Sequence, residues 1–161
     1  MSKKHVQLSW QNDTVPISDK FEDSYYSLEN GLHEANYVFI DGNSIQNRLS
    51  HGFQIAELGF GTGLNFLATC AAWNKTSKTG KFNFVSFEGY PISNLDVRKA
   101  HLLFPELSEY AEILQTRWDE IIEGNLVDFG FANLKVFIGD VSKTLKVFNS
   151  CLLYTSDAAD D

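Results

Sequence analysis

An α/β fold with a doubly wound, mainly parallel sheet is predicted by three features of the 161-residue chain. An apolar strand run, Phe53, Ile55, Ala56 and Leu58, leads into glycines at 59, 61 and 63. A largely apolar helical run follows through Leu64, Phe66, Leu67, Ala68, Ala71, Ala72 and Trp73. Two more strand-like runs then alternate with helical ones. The order strand, glycine turn, helix, strand, helix, strand makes a parallel sheet with crossover connections.

Each element has its own warrant. Residues 1 to about 20 are polar; Asn12-Asp13 and Pro16 signal turns, while Val6, Leu8, Val15 and Ile17 suggest short strands in a hairpin or arm. Residues 21–34 are too rich in aromatic and turn residues for an ordinary surface loop. Tyr37-Val38-Phe39-Ile40 predicts a short strand stopped by Asp41-Gly42-Asn43. A short helix over Ser44 to Leu49, capped by Asn43 or Ser44, leads to the central strand. Beyond the glycine turn and its helix, Phe82 to Glu88 is the second strand, apolar on both faces apart from Asn83 and Ser86.

Pro91 breaks the chain, and Ser93 or Asn94 can cap a helix to about Leu103. Leu107, Tyr110, Ala111, Leu114 and Trp118 recur at helical spacing and predict a second amphipathic helix. His101 and Trp118 are most simply packing or surface residues. Leu134 to Ile138 is the third strand, closed by Gly139-Asp140, and Ser142 to Phe148 is helical in pattern.

The chemistry concentrates in Glu57-x-Gly59-x-Gly61-x-Gly63. Glycine admits positive φ and lets a ligand approach the backbone, while the N–H groups of the following helix start point at it. The spacing is not the dinucleotide pattern G-x-G-x-x-G, and there is no Walker lysine. Glu57 instead puts a carboxylate where a cation could sit, which suits the amino and sulfonium groups of S-adenosylmethionine better than a phosphate. Glu88 ends the second strand where it could accept bonds from two ribose hydroxyls, and Asp140 ends the third where an adenine amino group could be read.

Composition bounds the alternatives. With 43% hydrophobic and 14% aromatic residues the chain can bury one core. A net charge of −8 argues against a broad nucleic-acid-binding face. Loose basic clusters stand at Lys75, Lys78 and Lys81, at Arg98, Lys99 and His101, and at Lys135, Lys143 and Lys146. No apolar run spans a membrane or marks a signal peptide, so a cytoplasmic protein is expected. Cys70 and Cys151 have no metal spacing, so neither a metal site nor a disulfide is expected.

Further segments carry a family resemblance: Tyr26 to Glu34, Tyr37 to Asn43, Ile55 to Thr69, Phe84 to Glu88 with Pro91, Phe104 to Leu107, and Gly139-Asp140. Together, over about residues 20 to 148, the chain resembles the Rossmann-like methyltransferases of the MnmC and MnmD family. The resemblance implies S-adenosylmethionine as cofactor. It implies N-methylation of the aminomethyl group of 5-aminomethyl-2-thiouridine at the tRNA wobble position, so tRNA is the expected substrate. It makes Glu57, Gly59, Phe60, Gly61, Thr62, Gly63 and Asn65 the cofactor cradle, Glu88 the ribose acid and Asp140 the adenine contact, with Asn30 and Gly31 closing over the cofactor.

The family's next strand ends in an Asp-Gly-Phe segment whose acid lies beside the target amine. Here residues 150–161 match nothing in the family, so the catalytic residue is unassigned. The expected organisation is a β-rich segment and covering loop at 1–52, the cofactor-binding half of the domain at 53–149, and a non-matching tail at 150–161. The chain is expected to be a truncated portion, inactive as given; bifunctional family members carry a fused flavin oxidoreductase domain, and the sequence leaves open whether the parent of this chain has one, fused or as a partner. Two other classes remain: a non-catalytic adenosylmethionine-binding or RNA-interaction module, and a nicotinamide oxidoreductase, which the glycine spacing fits poorly.

Overall fold

The computed structural model describes residues 5–26 and 31–152. Asn30 and residues 153–161 of the tail lie outside them. The chain opens on the expected hairpin: β1 (Leu8–Gln11) and β2 (Val15–Ser18) pair antiparallel, and a short β3 (Asp23–Ser24) adds to β2. The turn at Asn12 and Asp13 uses left-handed backbone at both residues, a conformation that Asn and Asp adopt more readily than most residues. Val15 is fully buried, and the Val6 N–H donates to the Pro91 carbonyl, so the small sheet is tied to the main body.

The main sheet has the order β4 (Gln54–Leu58), β5 (Phe82–Glu88), β7 (Ala132–Ile138), β6 (Val127–Asp128). The first three are parallel, as the sequence predicts; β6 is antiparallel and too short to have left a pattern. Helix α3 (Leu64–Asn74) crosses from β4 to β5. Helices α4 (Asn94–His101), α5 (Ser108–Thr116) and α6 (Trp118–Ile122) cross from β5 to β7. Ser93 caps α4, its hydroxyl accepting the Asp96 N–H.

Strand β5 explains its own sequence. On one face Phe82 and Phe84 pack on Phe66 of α3, with ring centroids 6.1 and 5.4 Å apart. On the other, Phe87 stacks on its register partner Phe137 at 5.3 Å. Phe148 of α7 (Val141–Leu152) meets Phe87 edge-on at 5.5 Å. A central strand covered by helices on both sides reads as a continuous apolar run. Ser86 and Glu57 interrupt the apolar rows of β5 and β4, and both belong to the site.

Two local readings are corrected. The strand expected at residues 37–40 is a π-helix, Ala35–Asp41, continuing from α1 (Gly31–Glu34). In a strand, Val38 and Ile40 would share a face. Here Val38 is 65% exposed and Ile40 is buried together with Ala35, five residues away. The Gly42 N–H donates to the Tyr37 carbonyl, also five back, so the aromatic and β-branched residues follow the wider helical turn. The expected cap of α2 (Ile45–Arg48) also differs: Ser44 has left-handed backbone and makes no cap bond, while the Asn43 amide donates back to the Phe39 carbonyl.

On its outer side β4 has no strand partner among the described residues. Phe66 is the hub of the α3 face, 2% exposed and in ring contact with Phe82, Phe84 and Phe129. Phe66→Ala is expected to cost about 3–5 kcal/mol, out of the roughly 5–15 kcal/mol typical of a domain. Urea unfolding checks this; an unchanged midpoint would contradict the packing described.

Candidate functional site

The carboxyl ends of β4, β5 and β7 bring the three expected acids to one edge of the sheet. Glu57 lies one residue before the end of β4, Glu88 ends β5, and Asp140 follows Ile138 by two residues. Between them runs the turn from Gly59 to Gly63. All three of its glycines have positive φ, at 82°, 55° and 77°, which is the physical reason for glycine at alternate positions.

The turn is held by hydrogen bonds from several elements. The Gly59 N–H donates to the Phe87 carbonyl at 2.9 Å. The Gly61 N–H donates to Glu88 Oε2, and the Tyr90 N–H to Glu88 Oε1, each at 2.9 Å. The Gly63 N–H donates to the Phe60 carbonyl at 2.9 Å. Phe60 itself is buried and stacks on Trp118 at 5.6 Å, while Thr62 is 3% exposed. Trp118 anchors that platform by donating its indole N–H to the Ile92 carbonyl.

Glu57 has a different environment. Its Oε2 accepts the Asn65 amide and its Oε1 the Ser86 hydroxyl, both at 3.0 Å. Burial pushes its pKa up from 4.5 to about 7 against those two bonds, and the Glu88 charge adds to the rise. Asp140 is the opposite case. Its Oδ1 accepts the Ser142 N–H and hydroxyl at the start of α7, which holds its carboxyl below the usual range.

Two cavities meet at Gly59. The first, about 390 Å³, is lined by Tyr25, Tyr26, Gly31, Glu34, Asn43 and Asn65 together with the glycine turn. The second, about 530 Å³, is lined by Phe21, Glu88, Tyr90, Gly139 and Asp140 among others. A Cβ built at Gly59 meets nothing within 4 Å, whereas one at Gly61 would lie 3.1 Å from the Tyr25 ring. Gly59 is therefore the glycine whose missing side chain opens onto ligand-sized space. Gly31 lies against Tyr26 and Phe104, at 3.1 and 3.2 Å from its would-be Cβ.

The sequence reading gave Tyr25, Ser86 and Gln115 no role in the site and took His101 as a packing or surface residue. Tyr25 covers the turn, and burial followed by the Glu88 charge raises its phenol to about 12. His101 is buried and reaches the Thr62 carbonyl at 2.7 Å. An isolated serine in an apolar strand was the one available signal for Ser86; a histidine in a helix gives none.

Five residues of the basic clusters are engaged within the protein. Lys78 donates to the Leu49 carbonyl and Lys135 to the Gly124 carbonyl. Lys81 pairs with Asp128 at 2.5 Å, Lys99 with Asp13 at 2.7 Å, and Arg98 donates to Asn94 at 2.6 Å. Cys70 is a buried free thiol whose pKa burial raises. Among the described residues no cluster of His, Cys, Asp and Glu could hold a metal ion.

The raised Glu57 gives a stability signature. Below about 4.5 both folded and unfolded chains hold this proton; above it the unfolded chain releases the proton and the folded one keeps it until about 7. Glu57 therefore makes folding less favourable as pH rises across that window. Glu57→Gln is expected to flatten this part of the pH profile of denaturation midpoints; an identical slope in both proteins would contradict the burial of the carboxylate.

No family model matches the chain. It is 43% identical over 146 residues to the "tRNA 5-methylaminomethyl-2-thiouridine biosynthesis bifunctional protein MnmC" of Leptospira borgpetersenii, covering 86% of this chain and 22% of that protein. It is 38% identical over 157 residues to the protein of the same name from Vibrio cholerae, covering 89% of this chain and 23% of that one. The solved structure of MNMC2 from Aquifex aeolicus has the same fold, with a TM-score of 0.65 at 22% identity over 90% of this chain and 46% of that one. The chain spans little more than a fifth of the length of these curated relatives. Over the residues matched, the curated homologues of this chain are proteins named MnmC, at 38% and 43% identity.

Proposed function

We propose that the chain binds S-adenosylmethionine across the carboxyl edge of β4, β5 and β7, as the cofactor-binding part of a tRNA-modifying methyltransferase. The observation that carries this reading is Gly59, open to two cavities, one lined by Asn65, the hydrogen-bond partner of Glu57, and the other by Glu88 and Asp140. The cavity beside Asn43 and Asn65 suits the amino-acid end of such a ligand. The cavity beside Glu88 and Asp140 suits its nucleoside end. Both Glu88 oxygens already hold backbone N–H groups, but an ionised carboxylate has acceptor sites for more bonds than these. Glu88 would then fix the turn and meet the ribose hydroxyls together. In its free form Asp140 keeps Oδ2 beyond its cap bonds for an exocyclic amine.

When bound, S-adenosylmethionine would supply an electrophilic methyl group to an uncharged amine, its S–CH3 bond breaking to leave S-adenosylhomocysteine and a proton, so the work left to the protein would be positioning and accepting that proton. Glu57 matches the cationic part: a carboxylate poised near neutrality gains its charge when a cation binds beside it. The substrate reading, the aminomethyl nitrogen of 5-aminomethyl-2-thiouridine at the tRNA wobble position, is supported by the relatives' names and the family resemblance. So is a flavin oxidoreductase domain in a longer protein, since the relatives are called bifunctional. Among the described residues no helix is long and apolar enough to cross a membrane, and a cytoplasmic site of action is proposed on the substrate's account.

Within the chain we assign 1–52 to the covering segment and 53–149 to cofactor binding.

Two outcomes follow for binding. Gly59→Val adds a branched side chain to the shared opening and strains a left-handed position by about 1–2 kcal/mol. It is expected to weaken S-adenosylmethionine binding at least several-fold in calorimetry; unchanged affinity would show that the ligand does not cross Gly59. Binding near neutral pH is also expected to release protons, and to tighten as pH rises through about 7, because Glu57 ionises beside the cation. Calorimetry in buffers of different ionisation enthalpy measures the release. Proton uptake would contradict the role of Glu57.

A further inference from the structure

The glycine turn is tied to α4 and α5 by a buried polar pair that lies outside every motif. His101, 4% exposed at the end of α4, places Nε2 at 2.7 Å from the Thr62 carbonyl. Gln115, 9% exposed on α5, places its amide nitrogen at 2.9 Å from His101 Nδ1. A carbonyl oxygen only accepts, so Nε2 carries the hydrogen; an amide NH₂ only donates, so Nδ1 is the bare acceptor. Both bonds select one neutral tautomer. Desolvation, which lowers the pKa of His101, acts in the same direction.

The consequence lies in how the peptide planes connect. The Thr62–Gly63 peptide is held at its oxygen by His101 and at its N–H by the Phe60 carbonyl. The Phe60–Gly61 peptide is held at that carbonyl by Gly63 and at its N–H by Glu88. Two peptide planes are thus fixed in series between a carboxylate at the end of β5 and an imidazole at the end of α4. Around them Leu114 and the Phe60 ring stand 3.0 Å from where a Cβ of Gly63 would be, so the turn also has no room to shift toward α5.

We infer that His101 is a positioning residue of the ligand-binding turn, a neutral Nε2–H donor, oriented by Gln115, that fixes the Thr62 peptide so that the turn presents one preformed surface to an adenosyl ligand. This rests on the proposed function of the turn. Without the donor, the buried Thr62 carbonyl is left unpaired and its peptide can rotate, and the ordering of the turn then has to be supplied by binding.

The test combines a spectroscopic readout with a matched pair of variants. Long-range ¹H–¹⁵N spectra of the wild-type imidazole are expected to show the Nε2–H tautomer at neutral pH; an Nδ1–H or charged ring would overturn the assignment. His101→Leu removes the donor, whereas His101→Gln can return an amide N–H to the Thr62 carbonyl. Calorimetry with S-adenosylhomocysteine is expected to show a loss of about tenfold for Leu and clearly less for Gln, with the Leu chain still folded but less thermally stable because the Thr62 carbonyl it leaves unpaired is buried. Equal affinity of the Leu variant and wild type overturns the role, and so does equal loss in both variants. Should the Leu variant not fold, Gln115→Met replaces it, with weakened binding and a mixed tautomer expected and wild-type behaviour overturning the inference. A wild-type chain that binds no adenosyl ligand but shows the Nε2–H ring overturns the proposed function and the binding role with it. Bound wild type with an indifferent His101 overturns this inference alone.

Discussion

The hydrogen bond from the Gly61 N–H to Glu88 is the constraint on which the rest of the site depends. It joins the turn after β4 to the end of β5, and it fixes a backbone whose glycines all stand at positive φ. A chain of such residues has many conformations open to it, and selecting one carries an entropic cost that only external partners can offset. Glu88, His101 and the Phe60–Trp118 stack provide those partners from three different elements. The glycine turn is therefore a loop that the rest of the fold holds open, with Gly59 left facing free space.

The sheet supplies the rigidity that this arrangement needs. Strand β5 is covered on both faces, by Phe66 of α3 and by Phe148 of α7, so its carboxyl end is a fixed point from which Glu88 can act. The neighbouring acid obeys other physics. Glu57 sits one strand over among Asn65 and Ser86, and burial raises its pKa where the open surroundings of Asp140 do not. Three carboxylates on one sheet edge thus have three distinct characters: one poised near neutrality, one bound to backbone N–H groups, and one capping a helix.

Much of the fold was legible in the sequence because period and punctuation agreed there. The apolar run of β5, the alternating glycines and the Ser93 cap each have one local cause, and each is where it was expected. The run Tyr37 to Ile40 misled because its residue types favour strands, while burial of Ala35 and Ile40 against the body of the protein imposed a π-helix. Strand β6 is two residues long and exists only through pairing with β7. In the site, the glycines and acids could be read because they recur at strand ends. His101 and Gln115 could not, since 39 residues separate the histidine from Thr62 and no local pattern marks a tertiary hydrogen bond.

Backbone amide spectra recorded during titration with S-adenosylhomocysteine test the central claim, that this edge of the sheet is a preformed adenosyl-ligand cradle. The geometry predicts saturable shifts at Gly59, Gly61, Thr62, Glu88, Gly89 and Asp140, with residues of β1 and β6 unaffected and no comparable response to NADH. Shifts confined to other parts of the chain, or an equal response to NADH at the same residues, would contradict it.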